Sequence, residues 1–198
     1  MAYFRHVVGG LTPVGTRWST TLHSQSSATI TTVHTAWSTF MTSFIGTTLA
    51  PMWNTHTTAN LVTTYQLDAV TGKATTLASG TLAIPGTGTG GSVSSRDAFV
   101  ITLRSAIAGK LGRGRMYWPS PDDSHYTTTG QFVTADMTTV KNGFASAYGT
   151  FKATTIPVVW HKLTKLGDAI VEVDININPG TQSRRTNKAA PVRVGSSV

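Results

Sequence analysis

The sequence predicts an α+β domain in which two amphipathic helices pack on an antiparallel sheet of about six strands. Apolar residues repeat at helical spacing in two segments, which predicts the helices. Between and after them, alternating segments are bounded by Gly- and Pro-containing turns, which predicts strands. The order is helix, four strands, helix and two strands, which favours helices laid on one sheet. A β jelly roll with helical insertions is the alternative.

The 198 residues are enough for one domain with a sizeable core. We expect an N-terminal arm or irregular strands over 1–30, a single core domain over 31–178 and a basic C-terminal arm over 179–198. The longest apolar runs have the length of strands, so we expect no membrane partner.

The first helix is predicted over 34–49, because apolar side chains recur there at i, i+3, i+4, i+7 and i+8. These residues are Trp37, Phe40, Met41, Phe44 and Ile45. Pro51 would end the helix. Packing into the core is one interpretation of the stripe. The other is a subunit interface through Trp37, Phe40 and Phe44.

The second helix is predicted over 134–148, with Thr134 as the N-cap. The strands are predicted in antiparallel pairs. The pairs are Leu61–Leu67 with Thr75–Ile84, Ala98–Leu103 with Arg113–Trp118, and Thr155–Trp160 with Asp168–Ile177. Gly72 lies in the turn of the first pair, which is typical of a β-hairpin.

Charged residues are scarce in the first third of the chain. Arg5 and Arg17 are the only charged residues before Asp68, whereas the whole chain contains 36 threonines. A soluble monomer usually covers about a quarter to a third of its surface with charge. Thr favours strands and keeps a surface polar without charge. We therefore expect a surface that is packed against copies of the same chain.

Positive charge is concentrated in the second half, and the net charge is +8. Residues 96–115 contain five basic residues and one acid, Asp97. The candidate nucleic-acid-binding residues in and beside this segment are Arg104, Lys110, Arg113, Arg115 and Tyr117. Strand alternation would place Arg113, Arg115 and Tyr117 on one face, where guanidinium groups bind phosphate and the ring stacks on a base. The flanking Gly112 and Gly114 would let a phosphate or a neighbouring chain approach the backbone.

An edge strand is the other interpretation of this segment, with arginines that pair with acids across a subunit contact. Glu172 and Asp174 lie two residues apart in a predicted strand, so both face one side. They are candidate subunit-interface residues, since such a pair could contact basic residues of another strand or subunit.

The C-terminal segment is also basic, with no acid after Asp174. Its candidate nucleic-acid-binding residues are Arg184, Arg185, Lys188 and Arg193. A basic terminal arm most often binds a polyanion without sequence preference.

No residue pattern predicts a reaction. The chain has no cysteine, no H-E-x-x-H spacing and no G-x-S-x-G turn. We therefore expect no catalytic residue, no cofactor, no metal site and no small-molecule substrate.

Three segments resemble virion structural proteins of small viruses and phages. These are Val100–Trp118 (VITLRSAIAGKLGRGRMYW), the helix after Gly130, and Ile175–Arg185, which ends in TQSRR. The resemblance implies a coat or capsid protein whose copies assemble into a closed, icosahedral shell around viral RNA or DNA. It implies a location in the virion after synthesis in the host cytoplasm. A nucleic-acid-binding module that forms no shell, and a phage tail or head-completion protein, are the alternatives.

Overall fold

Two antiparallel sheets and two long helices form the described part of the chain, so the α+β prediction is confirmed. The computed structural model describes residues 1–11, 17–53, 58–82, 99–107, 110–128, 132–161, 166–170 and 172–176. The predicted arm over 179–198 lies outside these residues.

The larger sheet has six strands. They are β1 (Ala2–Leu11), β2 (Arg17–Ser26), β3 (Thr58–Leu67), β4 (Ala74–Gly80), β7 (Ile156–His161) and β8 (Leu166–Ala169). Their order is β4-β3-β1-β2-β7-β8, so the two N-terminal strands lie at the centre. The predicted hairpin is confirmed as β3 and β4, with Gly72 at a φ of 67° in the turn.

The expectation of an arm or irregular strands over 1–30 is therefore wrong. β1 and β2 pair over ten residues each, from Ala2 opposite Ser26 to Leu11 opposite Arg17. The buried side of β2 is largely polar and includes Ser24 and Ser26. Because the usual apolar alternation is missing, the strand pattern is hidden in the sequence.

The smaller sheet has the order β6-β5-β9, with β5 (Phe99–Ile107), β6 (Lys110–Trp118) and β9 (Glu172–Asn176). β5 and β6 form the second predicted hairpin. The last predicted strand, 168–177, is divided between two sheets: β8 pairs with β7, and β9 pairs with β5. These strand orders also differ from the two Greek keys of a jelly roll.

Helix α1 (Ile30–Phe44) begins at Thr29, whose hydroxyl accepts a hydrogen bond from the Thr32 amide at 3.3 Å. The helix does not end before Pro51. It continues as a π-helical segment, Ile45–Leu49, and a short helix α2 (Ala50–Trp53). Proline has no N–H and crowds the carbonyl four residues earlier, so a widened turn before it accommodates its ring.

Helix α3 (Thr134–Lys152) follows a single 3₁₀ turn, Asp123–His125. Thr134 is its first residue rather than its cap. Val133 occupies the N-cap position and makes no side-chain capping bond. The buried residues of α3 repeat at helical spacing, and they are Val140, Phe144, Ala147, Tyr148 and Phe151.

Aromatic rings join the helices to both sheets. Phe40 of α1 contacts Phe144 of α3, with ring centroids 5.4 Å apart. Phe44 contacts Trp118 of the smaller sheet at 5.2 Å, and Trp118 contacts Trp18 of the larger sheet at 5.9 Å. One hydrophobic core therefore includes residues of both sheets and both helices.

Candidate nucleic-acid interface

Strand β6 carries the predicted interface and has the alternation that the sequence predicts. Arg115 and Tyr117 are exposed, and Tyr117 retains 49% of its accessible surface. Met116 and Trp118, between and after them, are completely buried. The buried side chains hold the strand against the core, so the guanidinium and the phenol ring are presented outward from a fixed backbone.

The register of the smaller sheet brings the other candidates beside this strand. Arg104 of β5 is half-buried and lies opposite Arg113. Thr102 lies opposite Arg115, and Val100 lies opposite Tyr117. Residues directly opposite in an antiparallel pair share a face of the sheet. The arginine positions 104, 113 and 115 therefore lie on one face.

The acids of β9 lie on the other side of β5. Glu172 is opposite Arg104, and Asp174 is opposite Thr102. We expected Glu172 and Asp174 to contact basic residues of another strand or subunit. The register gives one such residue within the same chain, Arg104, which lies opposite Glu172. Neighbouring strands are about 4.8 Å apart, so the backbone of β9 lies roughly 10 Å from that of β6. The two acid positions therefore lie nearer to Arg104 than to Arg115 along the sheet.

Gly114 does not open the backbone to a phosphate. A Cβ atom at this position would lie 3.8 Å from Leu103 and from Val159, which are core side chains. The glycine thus faces the interior, between the two sheets. The expectation that Gly114 lets a phosphate or a neighbouring chain approach is wrong, because alternation turns residue 114 away from the face of Arg115.

The aromatic stripe of α1 is part of the core and not of an interface. Trp37, Phe40 and Phe44 retain 0%, 1% and 0% of their accessible surface. Trp37 packs on His6 of β1, and the other two rings pack on α3 and β6. Since rings buried within one chain cannot contact another, the interpretation as a subunit interface is wrong for these three residues.

The remaining candidates are described in part or not at all. Lys110 is the first residue of β6 and lies opposite Ile107, the last residue of β5. Arg184, Arg185, Lys188 and Arg193 lie outside the described residues. In the described part of the chain, no group of three His, Asp or Glu side chains could hold a metal ion. Of the helices there, none has the length and apolarity required to cross a membrane.

A second group of polar side chains was not predicted. His6 is completely buried, with its Nε2 atom 2.8 Å from the Ser24 hydroxyl and its Nδ1 atom 3.1 Å from the Thr64 hydroxyl. His34 of α1 also contacts Thr64, at 3.2 Å. Burial, with smaller contributions from the neighbouring His23 and His34, holds the pKa of His6 well below its usual value.

A cationic and aromatic group lies on the opposite face of β1. The guanidinium carbon of Arg5 is 4.5 Å from the centroid of the Tyr65 ring. His23 stacks on Trp160 at 5.8 Å, and Tyr3 meets the same indole edge-on at 5.1 Å. Alternation of Tyr3 and Arg5 in the sequence is the signal that could have indicated this group. Its side chains are half-buried, so they offer less surface than Arg115 and Tyr117.

Comparisons of the chain with protein-family models, with curated proteins and with solved structures found no match.

Proposed function

We propose that this chain is a viral or phage coat protein that assembles into a shell and binds the nucleic-acid genome by charge. The observation that carries the proposal is the separation of charge between the two parts of the fold. The six strands of the larger sheet carry three charged residues, Arg5, Arg17 and Asp168, and α1 carries none, whereas the three strands of the smaller sheet carry four basic residues and two acids.

The uncharged part is exposed in the single chain. Residues 30–53 contain no Asp, Glu, Lys or Arg, yet Thr31, Thr35 and Thr39 lie on the outer side of α1. They line a groove between α1 and α3 together with Thr150 and Thr154. Hydroxyl and methyl groups lose less hydration energy on burial than charged groups do. Such a surface suits contacts between subunits, whose centres are depleted of charge.

The charged part suits a polyanion. Arg115 and Tyr117 are exposed on β6, and the register adds positions 104 and 113 to the same face. Arginine binds phosphate bidentately, and a tyrosine ring stacks on bases of any identity. This combination favours binding to a nucleic-acid backbone with little sequence preference. We propose a location in the virion as well, and the resemblance of the sequence to virion structural proteins supports it.

The oligomeric state of purified protein tests assembly. By size-exclusion chromatography with light scattering, we expect particles many times heavier than the 21.0 kDa chain. Negative-stain images should then show closed shells. Rings would favour a tail or head-completion protein. A monomer at every protein and salt concentration would overturn the proposal.

The salt dependence of binding tests the basic face. Each phosphate that the protein neutralises adds about 0.7 to 0.9 to the slope of log affinity against log salt. We therefore expect the Arg113→Ala/Arg115→Ala variant to lower the slope for single-stranded RNA or DNA by roughly 1.5. A filter-binding series measures it.

The matched control is Lys141→Ala/Lys152→Ala, which removes two positive charges from exposed positions of α3. It should leave the slope unchanged. Equal losses in the two variants would mean that binding depends on net charge and not on β6. No salt dependence in the wild-type protein would refute nucleic-acid binding.

A further inference from the structure

Strand β4 is an outer strand of the larger sheet, and its sequence has none of the features that usually prevent an edge from pairing with a further strand. Among the described strands it pairs with β3 alone. Its seven residues, ATTLASG, include no charged residue and no proline. Five of them are exposed, and Leu77 at its centre retains 56% of its accessible surface.

The other outer strands of the described sheets differ from β4 in this respect. Strand β6 carries Lys110, Arg113 and Arg115, β9 carries Glu172 and Asp174, and β8 carries Asp168. A free sheet edge is a template for another strand, and natural proteins block it with charged residues or proline. The sequence thus places a charge on every described edge except β4.

We propose that β4 pairs antiparallel with β4 of a second copy of this chain, about a twofold axis at Leu77. This register places Leu77 opposite Leu77, Thr76 opposite Ala78 and Thr75 opposite Ser79. Every opposing pair is small or apolar, and none brings like charges together. A twofold contact of this kind is the commonest way in which identical subunits associate.

The exposed leucines beside this edge support a second copy as the occupant. Leu77 lies opposite Tyr65 of β3, and Leu61 of the same strand is 46% exposed. Positions 61 and 65 are four apart, so Leu61 and Tyr65 share one face, and Leu77 lies on that face too. Pairing across the axis would duplicate this apolar group and bury it, while the backbone amides and carbonyls of both edges gain partners.

The inference rests on the proposed self-assembly for its biological role, but edge pairing requires only two copies. Cross-linking tests it directly, because the chain contains no cysteine. Leu77→Cys should form a covalent dimer under mild oxidation or with a short bis-maleimide. Thr75→Cys alone should not, because its twofold mate would lie roughly 13 Å along the strands. Thr75→Cys mixed with Ser79→Cys should cross-link.

A charge at the axis supplies the second test. Leu77→Lys should weaken dimerisation at least tenfold by analytical ultracentrifugation, because two ammonium groups then face each other. Val70→Lys is the matched control. Val70 is 82% exposed in the turn between β3 and β4, so the same charge is added away from the edge. Circular dichroism of both variants establishes that the fold is retained.

The outcomes separate this inference from the proposed function. Cross-linking through Leu77→Cys without larger particles would support edge pairing and refute the shell. Large particles that form equally well with Leu77→Lys, and without cross-linking through Leu77→Cys, would support the shell and overturn edge pairing.

Discussion

The burial of His6 illustrates how single residues constrain this fold. Its imidazole hydrogen-bonds with Ser24 on β2 and Thr64 on β3, and its ring lies 5.1 Å from that of Trp37 on α1. A buried polar group is costly unless its hydrogen bonds are made. The pairing register of three strands therefore depends on polar contacts as well as on apolar packing.

His23, on the other face of the sheet, makes stability depend on pH. Burial, and secondarily the charge of Arg5, lower the pKa of His23 to about 4. The unfolded chain binds this proton near pH 6.5, so stability is lost as the pH falls from 6.5 to 4. For His23 the loss should reach about 3 kcal/mol at pH 4.

Urea denaturation at pH 7 and pH 4.5 measures this loss. We expect His23→Gln to lose about 2–3 kcal/mol less than the wild-type protein between the two values. The pH 7 measurement is the internal control for lost packing on Trp160. An equal loss in both proteins would mean that other groups cause the dependence.

These residue-scale features could not be predicted from the sequence. Ser24 and Thr64 lie 18 and 58 residues from His6, and no spacing rule connects them. The exposed alternation of Arg115 and Tyr117 could be predicted, because a strand has a period of two within a few residues. Local patterns thus predicted part of the candidate interface, whereas contacts between distant strands required the structure.

At the scale of elements, replacing either of two glycines of α3 by alanine should have opposite effects on stability. A Cβ atom at Gly143 would collide with the Thr48 side chain of the π-helical segment, whereas a Cβ atom at Gly149 would meet nothing within 4 Å. Alanine is preferred over glycine in a helix by about 0.5–1 kcal/mol. We expect Gly149→Ala to raise the free energy of unfolding by that amount.

For Gly143→Ala we expect a decrease of about 1–3 kcal/mol, because crowding at Thr48 outweighs the helical preference. The two variants make the same chemical change in one helix, so each is a control for the other. Chemical denaturation measures both values. Stabilisation by Gly143→Ala would show that Thr48 moves aside without cost.

The elements with strong apolar periodicity were predicted best. Helix α1 and the β3–β4 hairpin were predicted from their patterns, although α1 begins four residues earlier than expected. Strand β2 was missed because Thr20, Ser24 and Ser26 take buried positions. The last strand was predicted as one because no Gly or Pro separates β8 from β9; the chain instead changes sheets near Ile170.

At the scale of the whole molecule, Trp118 links parts that could otherwise unfold separately. It belongs to the smaller sheet and contacts Phe44 of α1 and Trp18 of the larger sheet. We expect one cooperative transition, with far-ultraviolet circular dichroism and tryptophan fluorescence changing together. Trp118→Ala should cost about 3–5 kcal/mol.

Tyr117→Ala is the control on the neighbouring residue. Its ring is 49% exposed, so its removal should change stability by about 0.5 kcal/mol or less. Two separate transitions in the wild-type protein would contradict a shared core.

The central position of β1 and β2 has a consequence for synthesis. The β1–β2 hairpin emerges from the ribosome well before β7, because His23 of β2 meets its partner on β7, Val158, only after 135 further residues. At about 5–20 residues per second, this wait is roughly 7–27 s. During this time the edge of β2 that later pairs with β7 has no partner strand, and Arg17 is the only charged residue of β2. Since an unpaired edge is a template for another strand, we expect slow translation or early termination to favour pairing between unfinished chains.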